Sequence, residues 1–158
     1  YIDHIQVTVA ESDGIGTRAG YYERAGALRD MVQSHLLQLL AIIAMEAPAG
    51  YDAESIRDEK VKLLRSVRAD LDAGPDGTLV RAQYGAGRDG ERLLPGYRQE
   101  PGVRADSHTE TFVALRLSID NWRWAGTPFL LRTGKRMPEK RTEVVVQSTD
   151  AALTTLPP

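Results

Sequence analysis

The sequence has no cysteine among its 158 residues. That excludes disulfides and thiolate metal sites, and it suits a reducing compartment. Histidine is scarce, with three residues and no H-E-x-x-H pair, so no metal site is expected. Neither sign of charge prevails: 20 Lys and Arg face 22 Asp and Glu, a net charge of -2. A balance so near zero does not point to a nucleic-acid or membrane partner. Long apolar runs are missing too. The longest, Leu36 to Met45, is interrupted by Gln38 and falls short of the roughly 20 residues a bilayer requires. No basic segment precedes an apolar one near the start, so no secretory signal is expected and the protein reads as cytoplasmic. The chain begins at Tyr1, which reads as a start inside a longer frame.

What is present suits a folded domain. The hydrophobic content of 42% and charged content of 27% are ordinary for a globular chain of this length. "YIDHIQVTV" alternates roughly and predicts a strand. Arg24 to about Glu46 reads as one long helix ending before Pro48 and Gly50. "DAESIRDEKVKLLRSV" predicts a second, capped by Asp52, with acids in its first turns and bases in its last. Ala73 to Gly77 reads as a turn, and Gly85 to Asp106 as a long Gly- and Pro-containing loop. "TLVRAQY", "TETFVALRLSI", "PFLLRTG" and "TEVVVQS" predict four more strands. Helices followed by strands, without alternation, imply an α+β fold: a mostly antiparallel sheet with two main helices packed on one face.

Three segments carry possible chemistry. "GAGRDG", Gly85 to Gly90, has the G-x-G-x-x-G spacing, but Pro95 and Gly96 close off the helix a dinucleotide site needs; it reads as a surface loop. "LRTGKRMPEKR", Leu131 to Arg141, sets five cations and one acid after a strand. It reads as a solvated basic turn or as an anion-binding wall. Nucleic-acid binding there is disfavoured by the lack of interleaved aromatics. His35 lies in helical line with Leu28, Met31, Leu39 and Ile42, as a hydrogen-bonded core histidine or a general base. In an α-helix Asp30, five residues earlier, would sit about 140° away, off the face of His35.

Four motifs in register, "GYYERAGALRDMVQSHLLQLLAIIAME", "RDEKVKLLRSV", "QYGAG" and "TETFVALRLSIDNWRWAGTPFLLRTGKRMPEKRTEVVVQ", resemble glucose-6-phosphate dehydrogenase. The resemblance runs from Tyr1 to about Gln147 and covers the first part of that family's C-terminal α+β domain, leaving 148–158 as a tail. The family's N-terminal Rossmann domain is absent from this sequence. The resemblance implies an enzyme oxidising the C1 hydroxyl of glucose 6-phosphate to a lactone, with NADP, at the entry of the oxidative pentose phosphate pathway. It implies His35 as the general base and Glu11, Asp30, Lys135 and Lys140 as substrate ligands. It also implies assembly into a homo-oligomer. Ser34 stands where the family usually has Asn, and Ala19 replaces a Gly. The family's R-I-D-H-Y-L-G-K-E segment is missing; His4, in the strand that echoes it, should not inherit its role. The isolated chain is therefore expected to be inactive. The rival within the same fold is a non-catalytic module for sugar-phosphate binding or oligomerisation.

Overall fold

A computed structural model describes residues 1–69 and 78–149. The turn read at Ala73 to Gly77 and all of the tail beyond 149 lie outside the described residues.

The expected sheet is present. β1 (Ile2–Ala10), β6 (Phe112–Ile119), β7 (Phe129–Gly134) and β8 (Arg141–Ser148) are its long strands. Two short strands, β2 (Val67–Ala69) and β3 (Leu79–Ala82), pair successively along β6. The order is β2-β6-β7-β1-β8, with β3 also on β6. Antiparallel pairs dominate among the described residues; β1 and β7 are the parallel exception, in register from Ile5↔Phe129 to Ala10↔Gly134.

Alternation in the strands decides which face is covered. Ile5 and Val7 of β1, Val113, Leu115, Leu117 and Ile119 of β6, and Phe129 and Leu131 of β7 point to the helices. Val32, Leu36, Leu40, Ala41, Ala44 and Leu63 meet them. Trp124 seals one end of this core. Its ring packs edge-on against Phe129, and its indole N–H donates to the Ala44 carbonyl at 2.8 Å, satisfying an acceptor the helix end leaves free.

The second predicted helix is α3 (Ala53–Ser66). Asp52 caps it as expected, accepting from the amides of Glu54 and Ser55. Hydrogen bonds from the Ser55 hydroxyl and amide hold the Asp52 carboxyl below its ordinary range.

The first helix differs from the expectation. It begins earlier, as α1 (Ala19–Ala27), and is broken at Gly26, whose backbone (φ 60, ψ 179) is not helical. A π-helical stretch, Leu28–Leu36, follows, and α2 (Leu37–Ala44) completes it. The break has a local cause: a Cβ on Gly26 would lie 2.4 Å from the Glu110 carboxylate. The π stretch changes the helix phase. Its i→i+5 pairing sweeps less angle per residue than an α-helix, so Leu36 falls in line with Val32, and the core face continues through Leu40, Ala41 and Ala44 of α2. Of the expected line, Leu28, Met31 and Leu39 stay half-buried against the core, while His35 is exposed and Ile42 54% exposed.

The expected loop from Gly85 to Asp106 is more ordered than read. It holds a hairpin of β4 (Gly87–Asp89) and β5 (Arg92–Leu94) and a short 3-10 turn, Tyr97–Gln99. That turn brings Tyr97 into a second, smaller core with Ile15, Ala19 and Tyr22, lying beside α1.

Candidate functional site

Parallel pairing of β1 and β7 sends both strands out at the same edge of the sheet. The residues that follow the last matched pair, Glu11 and Lys135, therefore emerge side by side. Backbone bonds fix them there. Glu11 donates its amide to Gly134, Met137 to Glu11, Arg136 to Asp13 and Lys135 to Thr111, all at 2.9–3.1 Å. The Lys135 ammonium meets the Glu11 carboxylate at 2.6 Å. The lysine side chain is 2% exposed and that of the glutamate 30%. A lysine this buried requires a partner, and the charge-assisted bond supplies one. The ammonium also lies 5.4 Å from the Tyr22 ring centroid.

Tyr21 and Tyr22 of α1 link this pair to the helix. Tyr21 donates its hydroxyl to Asp30 at 3.0 Å, and this bond, with the carboxylate's charge, pushes the Tyr21 phenol above its ordinary pKa. Tyr22 is fully buried. Burial pushes its phenol well above the usual range, and the charges of Asp30, Glu110 and Glu11 add to the shift. Tyr22 thus lies within electrostatic reach of both Asp30 and Glu11.

Asp30 and His35 share the π-helical stretch. An i→i+5 ladder sweeps less angle per residue than an α-helix, so Asp30 stands nearer in angle to His35 than an α-helix would place it. The 140° separation expected of an α-helix does not apply. Ser34, between them, donates its hydroxyl to the Asp30 carbonyl. His35 projects from the exposed side of the helix rather than from the core face expected. There it is open to a ligand, which a core histidine would not be.

Of the five residues singled out from the sequence, the fold joins Glu11 to Lys135 and carries Asp30 and His35 on one π-helical stretch, with Asp30 linked toward the pair through the two tyrosines. Lys140 stands apart, exposed in the turn between β7 and β8, with no bond to the other four among the described residues. Two residues that complete the arrangement were missed: Tyr22 and Glu110. The Tyr-Tyr doublet after Gly20 is visible in the sequence, but only the fold shows that one ring lies under Lys135 and the other hydroxyl on Asp30.

The "GAGRDG" segment forms the β4–β5 hairpin, turning at Gly90 (φ 58). No helix opens there to receive a pyrophosphate, so this segment does not fit the dinucleotide fingerprint its spacing suggested.

Comparison with known proteins decides the family. A model of the glucose-6-phosphate dehydrogenase C-terminal domain matches residues 1–156. The chain belongs to that family. Among the similar glucose-6-phosphate 1-dehydrogenases, that of Dickeya dadantii is 53% identical over 152 residues, covering 96% of this chain and 31% of the relative. That of Bacillus subtilis is 53% identical over 150 residues, covering 95% and 31%. The solved glucose-6-phosphate 1-dehydrogenase of Mycobacterium avium superposes with a TM-score of 0.79 at 44% identity, over 99% of this chain and 33% of that one. A glucose-6-phosphate dehydrogenase in complex with its substrate gives 0.84 at 36% identity, over 99% and 32%. The chain spans about a third of the length of these glucose-6-phosphate dehydrogenases.

Proposed function

We propose that this chain supplies the general base and part of the sugar-phosphate pocket of an NADP-dependent glucose-6-phosphate dehydrogenase. The observation that carries the reading is the buried Lys135–Glu11 pair, 2.6 Å apart, beside the helix of Asp30 and His35.

Each residue has a role its chemistry suits. Glu11 keeps one carboxylate oxygen on Lys135 and has the other to accept from a sugar hydroxyl. Lys135 donates to a sugar oxygen from a fixed position. Asp30, held by Tyr21, accepts from a second hydroxyl. Lys140, exposed on its turn, approaches the phosphate end of the ligand as a mobile cation. His35 takes the proton of the C1 hydroxyl; histidine is the side chain whose charge changes nearest neutral pH. Asp30 and His35 on one helical stretch hold ligand and base in a constant relation.

In this reading NADP is held mainly by residues outside this chain, since the GAGRDG segment forms a hairpin and not a pyrophosphate turn. The chain alone is therefore inactive in this reading. The uncovered sheet face, with a cavity of about 350 Å³ lined in part by Thr8, Val80, Leu130 and Arg132, is where a second copy would associate. The compartment proposed is the cytoplasm. Among the described residues no helix is long and apolar enough to cross a membrane.

Calorimetric titration of the chain with glucose 6-phosphate, beside Lys135→Ala, tests the reading. Saturable binding weakened at least ten-fold by the substitution is expected. Equal binding by both proteins would remove Lys135 from the pocket. Joined to a nucleotide-binding domain, the chain should then reduce NADP, and His35→Ala should abolish most of that rate.

A further inference from the structure

We propose that Glu110 is a positioning residue that sets where Asp30 and His35 stand relative to Lys135. The proposal rests on the reading of those three residues given above and names what aligns them.

Glu110 lies just before β6, 6% exposed, and it bonds to the start of the π stretch twice. Its carboxylate accepts from the Leu28 amide at 3.0 Å and its carbonyl from the Ala27 amide at 2.9 Å. The Leu28 amide is shared between the Ala25 carbonyl and this carboxylate, and a carboxylate at the start of the π stretch also meets the positive end of the helix dipole. Arg81 of β3 holds the second carboxylate oxygen at 3.1 Å, which fixes the rotation of the group. Gly26 makes room for it: a Cβ would lie 2.4 Å from one oxygen, and φ is +60°.

The same short segment grips the chain on the other side of the break. Ser107 donates its hydroxyl to the Glu23 carboxylate at 2.6 Å, and Thr109 donates to the Glu23 carbonyl at 3.0 Å. The helix is therefore bonded just before Gly26 and just after it, and the bend is set from outside. The next residue reaches the other half of the site. Thr111 accepts the Lys135 amide on its carbonyl at 3.0 Å and is itself anchored to Ala82 of β3. Consecutive residues, Glu110 and Thr111, thus fix the helix that carries Asp30 and His35 and the backbone of Lys135. Without the carboxylate the first turn is free to rewind toward α register, which widens the angle between Asp30 and His35.

The test uses the complete dehydrogenase that carries this chain. It compares steady-state kinetics, per folded molecule, with amide hydrogen exchange over Ala27–Leu36. Glu110→Ala is expected to lower kcat at least ten-fold, to leave the KM for the nucleotide within two-fold, and to speed exchange over that stretch at least ten-fold. Glu110→Gln keeps an oxygen for the Leu28 amide and should stay within three-fold of the parent. A residue that itself moved a proton would be lost equally in both. Gly26→Ala, which drives the carboxylate out, should reproduce Glu110→Ala, and the double variant should be little worse than either single.

Exchange within two-fold of the parent in folded Glu110→Ala overturns the proposal. So does a Glu110→Gln enzyme as damaged as Glu110→Ala. Where Glu110→Ala does not fold, Gly26→Ala decides: parental rate and exchange in that variant refute the positioning role. The functional reading fails separately, through a parent that does not oxidise glucose 6-phosphate or a His35→Ala variant as fast as the parent. In either case the exchange data still judge Glu110.

Discussion

The molecule has two cores, and they are built from different material. Aliphatic side chains fill the larger one, between sheet and helices, with Trp124 and Phe129 at one end. Tyrosines fill the smaller one beside the candidate site. Tyr97 stacks edge-on between Tyr22 and Tyr84, with centroids 6.0 and 5.7 Å away. Aliphatic groups pack without directional demands. Tyrosines add hydroxyls, and here the hydroxyls fix carboxylates: Tyr97 donates to Glu23 at 2.5 Å and Tyr84 to Glu100 at 3.0 Å. Glu23 and Glu100 in turn hold the segments that carry Ser107 and Arg136. The large core stabilises the fold, and the small one fixes the geometry around Glu11, Lys135 and α1.

Breaking the large core should have the greatest effect on stability. Phe129 is fully buried against Trp124. Phe129→Ala removes most of a buried ring and leaves a cavity, at a cost of about 3–5 kcal/mol. A urea titration followed by tryptophan fluorescence reads it. A loss below about 1 kcal/mol would mean that this end of the core repacks freely.

The tyrosine core should answer to pH where the aliphatic one does not. Burial raises the Glu23 pKa, but the hydroxyls of Ser107 and Tyr97 outweigh it and hold the carboxyl below its ordinary range. A depressed folded pKa contributes stability above the unfolded value, about 4.3, and that stability is lost as pH falls through the folded value. Tyr97→Phe deletes one of the donors and should cost about 1–2 kcal/mol at pH 7. The deficit should shrink as the same urea titration is repeated at successively lower pH, because the stability tied to the ionised carboxylate is lost as pH falls through its folded pKa. A deficit independent of pH would show that the phenol acts by packing alone.

The same division explains what could be read from the sequence. Strands and the α3 cap follow from local patterns: alternation in "TFVALRLSI", and Asp52 before an acidic first turn. The aliphatic core was legible for that reason. Nothing local marks Gly26 as a break, because the residue that makes it necessary, Glu110, is more than eighty positions away. The π stretch was invisible for a related reason. Apolar residues at 28, 31, 39 and 42 fit an α stripe, and no local pattern announces the phase change that brings Val32 and Leu36 to the core instead. The motif singles out His35, but the core face expected for it is not the one it occupies. Glu11 and Lys135 came only from the resemblance; nothing local says that β1 and β7 run parallel and bring both to one edge.

The smallest effect should come from Tyr22, and it would sharpen the comparison most. Its ring belongs to the tyrosine core, but its hydroxyl, unlike those of Tyr84 and Tyr97, has no hydrogen-bond partner among the described residues. A buried polar group without a partner disfavours the folded state, so Tyr22→Phe should leave stability unchanged or raise it by up to about 1 kcal/mol. Binding should move the other way. Tyr22 lies under Lys135 and within the fields of Glu11 and Asp30, so its hydroxyl is placed to bond a sugar oxygen once ligand arrives. Tyr22→Phe should therefore weaken glucose 6-phosphate binding several-fold in the same calorimetric titration. Opposite signs in the two measurements would mark a hydroxyl kept for the ligand at the expense of the fold. A variant that loses stability and binds normally would make Tyr22 a packing residue, no different in kind from Phe129.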